Sequence, residues 1–331
     1  MLGALLGYAR IGVHQKEALH MRIAIIGQKD FGKAVLEAFL ARGTEVVAVF
    51  CQPEKEGTRP DPIRVCAEEK SVSVYQFSSL KSPESVAALK GLNVDLGVMA
   101  YVTQFVSQDF VKTPRLGTIQ YHPSLLPKYR GPSAINWAMA RGETKTGLTI
   151  FRPSDGLDEG QVILQKEVPI APDDTLGSLY FNQLFPVGVK AMLEAADLVF
   201  AGKHTETVQD ESQASYEGWF KEAESRINFA NHVDVVYDLI RACNPAPGAW
   251  VSHGNKTLQF FDCVKHSARR YGQFAGKTGT IAKIAETAVW INVQGGQLEV
   301  LKMKHQDGKK DHAAAVASVL GLKEGESLGA H

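Results

Sequence analysis

From Met21 onward, short apolar runs rich in β-branched residues alternate with segments of helical period, and this alternation restricts the fold more than any other feature of the chain. Residues 22–26 are an apolar run closed by Gly27, after which Val35, Leu36, Phe39 and Leu40 recur at helical spacing up to Gly43. Residues 45–50, 72–75, 96–100 and 118–121 are further short runs, separated by polar or helical segments. Strands spaced this way are joined by crossovers, which predicts a mostly parallel sheet with helices on both faces. Runs at 147–151 and 162–170 extend the sheet. A helical region follows, with Asp174 or Thr175 as its cap, an interruption at Pro186, and an apolar stripe through Val189, Met192, Leu193, Ala196, Val199 and Phe200.

Residues 203–225 are polar and lack a clean period, so they read as a linker or surface excursion. Beyond them the spacing predicts one helix, with Val233, Val236, Leu239 and Ile240 on a stripe. Strands near 257–265, 279–285, 288–293 and 297–304 follow, then an Ala-rich tail from Asp311. One helix followed by a run of strands suggests a small barrel or sandwich. The expected division is an N-terminal extension at 1–20, a catalytic domain at 21–222 and a barrel-like domain with its tail at 223–331.

At 331 residues a single core is near its ceiling, so two domains are expected. With 36 basic and 36 acidic side chains the chain exerts no global pull on polyanions. The four cysteines are scattered and show no Cys-x-x-Cys spacing, which argues against a disulfide framework or a zinc site and fits a reducing cytoplasm. No apolar run is long enough for a membrane span. Residues 1–20 have no basic leader or small-residue cleavage signal, so they read as an upstream-start or disordered extension rather than a targeting peptide.

Gly27 and Gly32 bracket a strand-to-helix turn, but Lys29 stands where a dinucleotide fingerprint needs its middle glycine, and the second strand ends Phe50-Cys51-Gln52 with no acid for a ribose. A plain turn is the reading, and NAD(P) is not expected. The informative segments are Tyr121-His-Pro-Ser-Leu-Leu-Pro-Lys-Tyr-Arg-Gly131 and Ser154-Asp-Gly-Leu-Asp-Glu-Gly160. His122 lies at a strand end, where ligand crevices of open α/β sheets form, and two prolines and a glycine stiffen the loop after it. The second loop carries Asp155 and Asp158 between glycines that permit close backbone approach to a ligand.

The His-x-Ser-Leu-Leu-Pro and Gly-Leu-Asp-x-Gly loops resemble those of the folate-dependent formyltransferase family. Within it, the Tyr-His-Pro-Ser-Leu-Leu-Pro and Ser-Ala-Ile-Asn-Trp stretches are most similar to the N-terminal hydrolase domain of 10-formyltetrahydrofolate dehydrogenase. The resemblance runs from Met21 to about residue 310 and includes Pro247-Gly248-Ala249-Trp250 at the turn into the C-terminal domain. It implies an α/β, Rossmann-like sheet followed by a smaller β-barrel domain, 10-formyltetrahydrofolate as formyl donor, and no metal. His122 and Asp158 match the family's catalytic pair. Gln120 stands where amine-transferring members carry asparagine, and the hydrolase domain departs from asparagine there too. The resemblance places the pterin against residues 101–106 and the backbone of 153–158. Gln104 would reach the cofactor, Phe105, Val106 and Val111 either line the slot or pack in the core, and Ser154, Asp155 and Gly156 border it.

Formyl transfer needs an oxyanion donor and a proton acceptor. His122 can donate to the developing oxygen, Gln120 offers a second amide donor, and Asp158 can accept a proton from an attacking amine or water. Arg130 reads as either a contact for an anionic acceptor or folate tail, or a solvated side chain. The acceptor is expected to be water or a small amine. Residues 52–59 after the second strand form a short, non-basic stretch where tRNA-modifying members carry a basic insert, so initiator tRNA is the alternative, followed by a non-catalytic folate-binding module.

Overall fold

The computed structural model describes residues 21–270 and 272–329; the reading of residues 1–20 as an extension lies outside them. The chain forms two compact units. Among the described residues, the first comprises 21–130 together with Gly147–Glu167 and Leu184–Ser215, and the second comprises Gly131–Thr146, Val168–Gln183 and the described residues from Tyr216 onward. Two segments that precede residue 222, Gly131–Thr146 and Val168–Gln183, thus cluster with the C-terminal part, while residues 203–215 belong to the first unit.

The first unit is built on β1 (Arg22–Gly27), α1 (Lys29–Ala41), β2 (Glu45–Cys51), α2 (Pro62–Glu69), β3 (Ser73–Gln76), α3 (Pro83–Gly91), β4 (Leu96–Ala100), α4 (Gln108–Lys112) and β5 (Thr118–His122). Helices α2, α3 and α4 start where the side chains of Asp61, Ser82 and Ser107 each accept a backbone N–H of the first turn, and proline opens α2 and α3. The sheet order is β3-β2-β1-β4-β5-β6-β7, with β1 to β5 parallel. Because side chains alternate across a strand, its two faces feed two cores. Ile23, Ile25, Val49, Val98, Ile119 and Tyr121 point into one, and Ala24, Ile26, Ala48, Phe50 and Met99 into the other.

Downstream come α5 (Ala134–Ala140), β6 (Lys145–Phe151), β7 (Val162–Pro169) and α6 (Phe185–Phe200). Strand β6 runs antiparallel to β5, pairing Gln120 with Phe151 and His122 with Thr149. The interruption expected at Pro186 appears as a π-helical turn over Tyr180–Leu184, with the proline in the first turn of α6. Gly188 lets α6 lie close to the sheet, since a Cβ there would press on the rings of Tyr121 and Phe31.

In the second unit, Thr175 and Ser178 form a reciprocal cap on a single helical turn. Helix α7 (Val233–Ala242) packs against α5, with Asn136 Nδ2 donating to the Ala242 carbonyl at 2.9 Å. The remaining elements are β8 (Ala249–His253), β9 (Lys256–Phe260), β10 (Cys263–Ser267), β11 (Ile281–Ile284), β12 (Val289–Val293), β13 (Gly296–Val300), β14 (Lys302–His305), β15 (Asp311–His312) and α8 (Ala313–Leu320). They form two four-stranded antiparallel sheets, β10-β13-β12-β11 and β15-β14-β9-β8. Val233, Val236, Ile240, Leu258, Ile291 and Leu298 fill the core between the stripe of α7 and these strands.

Candidate active site

The first unit brings His122 and Asp158 together. Nδ1 of His122 lies 3.4 Å from Oδ2 of Asp158, and the residues are only 5% and 9% exposed. Nε2 of His122 is 2.8 Å from the Tyr129 carbonyl oxygen. A carbonyl can only accept, so Nε2 carries the hydrogen and the Nδ1 edge is left to Asp158. Two non-glycine residues adjoining this ring, Tyr129 (φ 58°) and Asp158 (φ 56°), have left-handed backbone, a conformation that persists only when surrounding contacts hold it.

Those contacts are extensive. In the loop after β5, Ser124 Oγ donates to the Lys128 carbonyl at 2.6 Å and Thr149 Oγ1 donates to the Ser124 carbonyl at 2.7 Å. Leu126 N–H donates to Thr149 Oγ1, and Gln165 Nε2 donates to the Leu126 carbonyl. Since β6 is antiparallel, the aspartate loop leaves its strand alongside Thr118 rather than at the carboxyl end of the parallel strands. Arg152 fixes that departure by donating through Nη1 to the Leu116 and Thr118 carbonyls at 2.9 and 3.2 Å, while its N–H closes the loop on the Gln161 carbonyl. The loop itself carries Asp158 back to His122. Gly160 is required there, since a Cβ would overlap the Arg152 carbonyl.

Gln120 is half-buried and lies two residues before His122, so the period of the strand puts both side chains on one face. The β4–β5 register, which pairs Met99 with Gln120, sends residues 101–106 out of the sheet beside His122. Within that segment Gln104 Oε1 accepts the Leu80 N–H at 3.3 Å. Phe105 is 63% exposed, with the Lys81 ammonium 5.2 Å from its ring centroid. Val106 is half-buried and packs against one core, and Val111 is buried. Ser154 and Asp155 are exposed, and Gly156 is intermediate.

The sequence reading of Arg130 is corrected: it neither is solvated nor faces an acceptor. It is fully buried, with Nε and Nη2 donating to Gln209 Oε1 at 3.1 and 2.8 Å and Nη1 and Nη2 donating to the Glu211 carboxylate. The segment read as a linker therefore supplies internal partners to the site loops. Thr149, Gln165, Gln209 and Ser215 were missed because their only signal is contact across the chain.

The turn at Gly27 serves the sheet. A Cβ there would overlap the Ala100 carbonyl, so glycine lets β1 and β4 approach. At the start of α1, Lys29 N–H donates to Asp61 Oδ1 at 2.7 Å, so an internal carboxylate takes a donor that dinucleotide folds point at a pyrophosphate. Among the described residues no cluster of three or more potential metal ligands is found, and no described helix is long and apolar enough to cross a membrane.

Comparison with known proteins decides the family. The formyl transferase model matches residues 21–195, and the model of the formyl transferase C-terminal domain matches residues 220–320. The chain belongs to the formyl transferase family. Cytosolic 10-formyltetrahydrofolate dehydrogenase from Homo sapiens is 36% identical over 92% of this chain, which spans only 36% of that protein. Methionyl-tRNA formyltransferase from Geobacter metallireducens is 30% identical over 93% of this chain and 99% of its own length. The fold is shared with HypX from Aquifex aeolicus, solved in complex with tetrahydrofolic acid, at a TM-score of 0.65 and 21% identity, covering 92% of this chain and 48% of that one. The formyl transferase fold expected from the two loops is thus the fold observed.

Proposed function

We propose that this formyl transferase family member removes the formyl group from 10-formyltetrahydrofolate and passes it to water or a small amine, releasing tetrahydrofolate. The observation that carries this reading is the buried His122–Asp158 pair, assembled by two loops distant in sequence. Supporting it, residues 101–106 leave β4 beside His122 and expose an aromatic ring at Phe105, the kind of surface a flat heterocycle covers.

In hydrolysis the water oxygen bonds to the formyl carbon while a water proton passes to Asp158. Charge gathers on the formyl oxygen, where the Gln120 amide can stabilise it, as can His122 when its Nδ1 also carries a proton. The C–N bond breaks as the folate nitrogen takes a proton, returned from Asp158, and formic acid leaves with tetrahydrofolate, giving up its own proton to solvent as formate. With an amine, the new bond is C–N and the product is a formamide. With Nε2–H held on the Tyr129 carbonyl, His122 works from its other edge.

A second reading, formyl transfer to methionyl-tRNA, is favoured by the end-to-end match to the Geobacter enzyme. Against it stands the segment after β2, where residues 52–59 set only Lys55 and Arg59 beside Glu54 and Glu56, too balanced a charge for a phosphate-binding face. The deciding experiment supplies 10-formyltetrahydrofolate to the purified protein alone, with a panel of small amines, and with methionyl-tRNA. Tetrahydrofolate and formate, or a formylated small amine, are expected. Formylation of methionyl-tRNA alone would transfer the assignment to the second reading, and stable folate binding without turnover under every condition would leave only a binding module.

A further inference from the structure

We propose that Gln209 is a positioning residue for the Asp158–His122 pair, the buried centre of a strap over residues 207–215 that ties both reactive loops together. The inference rests on the formyl-transfer reading of the site. The strap is anchored at one end by Thr207, which exchanges two backbone hydrogen bonds with Val162 at 2.8 and 2.9 Å. At the other end Ser215 Oγ accepts the Tyr129 N–H at 2.8 Å and its carbonyl accepts the Arg130 N–H at 2.9 Å. Tyr129 is the residue whose carbonyl holds His122 Nε2. The histidine loop therefore hangs on one end of the strap.

Gln209 holds the aspartate loop from the middle. Its Nε2 donates to the Asp158 carbonyl at 2.8 Å and to the Gly160 carbonyl at 2.7 Å, while its Oε1 accepts both Arg130 donors. Both amide hydrogens and both lone pairs are used, so the amide has one orientation: turned over, it would set its oxygen against two carbonyls and its NH₂ against a guanidinium. At 6% exposure Gln209 cannot exchange these partners for water. Its two acceptors flank the peptide run that leaves Asp158, whose left-handed backbone needs external support. Arg130 completes the tie, since it follows Tyr129 directly in the histidine loop and orients Gln209 in turn. Packing alone would be met by leucine at 209. The four-fold hydrogen bonding instead sets where the Asp158 carboxylate sits relative to the imidazole.

The test is tetrahydrofolate release from 10-formyltetrahydrofolate by the full chain, with water or whichever acceptor supports turnover. Gln209→Glu keeps the length and the Arg130 contacts but removes both donors to the aspartate loop. Misplacing a reacting group by about an ångström costs ~100-fold. Gln209→Glu is therefore expected to lower kcat about 10- to 100-fold, with KM for the folate changed less than about threefold and the pH profile of kcat displaced. Placed on Asp158→Ala, the same substitution should change the residual rate less than about twofold, because there is no carboxylate left to position. A folded Gln209→Glu variant with the parent's kcat and pH profile, or an equal loss on both backgrounds, overturns the proposal. Should that variant not fold, Arg130→Lys, which keeps a charge for Glu211 but loses the fork on Gln209, is measured in the same way. If neither folds, the strap is a stability element and the positioning role is rejected. Retention of full turnover by His122→Asn and Asp158→Ala would remove the formyl-transfer reading itself, a result separate from any obtained at Gln209.

Discussion

Asp158 combines two demands that usually fall on different residues: a carboxylate facing a buried imidazole, and a backbone in the left-handed region that glycine occupies without strain. Replacing it isolates each demand. Asp158→Ala and Asp158→Gly both remove the carboxylate and are expected to lower turnover of 10-formyltetrahydrofolate at least about 100-fold. Only glycine relaxes the backbone, so Asp158→Gly should exceed Asp158→Ala in stability by about 1 kcal/mol, measured by urea unfolding. Equal stability would mean that the loop, rather than residue 158, carries the strain. Arg130 teaches a related lesson, because an arginine in a polar loop looks like a ligand contact until its burial and its partners are known.

Among the elements, closeness of strands and loops is set by glycines whose role depends on what faces them. A methyl group on Gly27 would strike the Ala100 carbonyl between β1 and β4, whereas at Gly91, the last residue of α3, nothing lies within 4 Å. Gly27→Ala is expected to cost at least about 2 kcal/mol, in the range of overpacked cores, while Gly91→Ala should be neutral or stabilise by up to about 1 kcal/mol. Denaturant midpoints of the two variants check the contrast, and similar values would show that β1 and β4 can separate cheaply. Element direction matters as well: because β6 is antiparallel, the aspartate loop must travel back along β5, which is why it is long, closed by Arg152 and Gln161, and held from outside by the strap.

For the molecule as a whole, carboxylates tied into both units set the response to acid. Burial alone would raise the Glu54 carboxyl, but the Asp61 N–H, the Gln76 amide and Arg64 outweigh it and hold the group at about 2, below its ordinary 4.5. Burial likewise works against Asp95 and is outweighed by the Arg22 N–H and Arg115, and in the second unit Lys265 chiefly lowers Asp234. A depressed folded value means that the stabilisation is complete above the ordinary value and is lost as pH falls through it towards the folded one. The urea midpoint of the protein should therefore fall between about pH 4.5 and 2. Glu54→Gln should flatten that fall while costing about 1–2 kcal/mol near neutrality; an unchanged acid limb would remove Glu54 from the account. The sequence by itself determined the alternating α/β plan, the strand-rich C-terminal part and the two candidate loops. Those features are written in local periodicity and in side-chain types adjacent along the chain. Tertiary structure alone decided that β6 reverses, that Arg130 is buried, and that residues 207–215 bind the histidine and aspartate loops. Each depends on hydrogen bonds between residues as much as 86 positions apart, as from Tyr129 to Ser215, and a polar segment without a period carries no local mark of the partner it will meet.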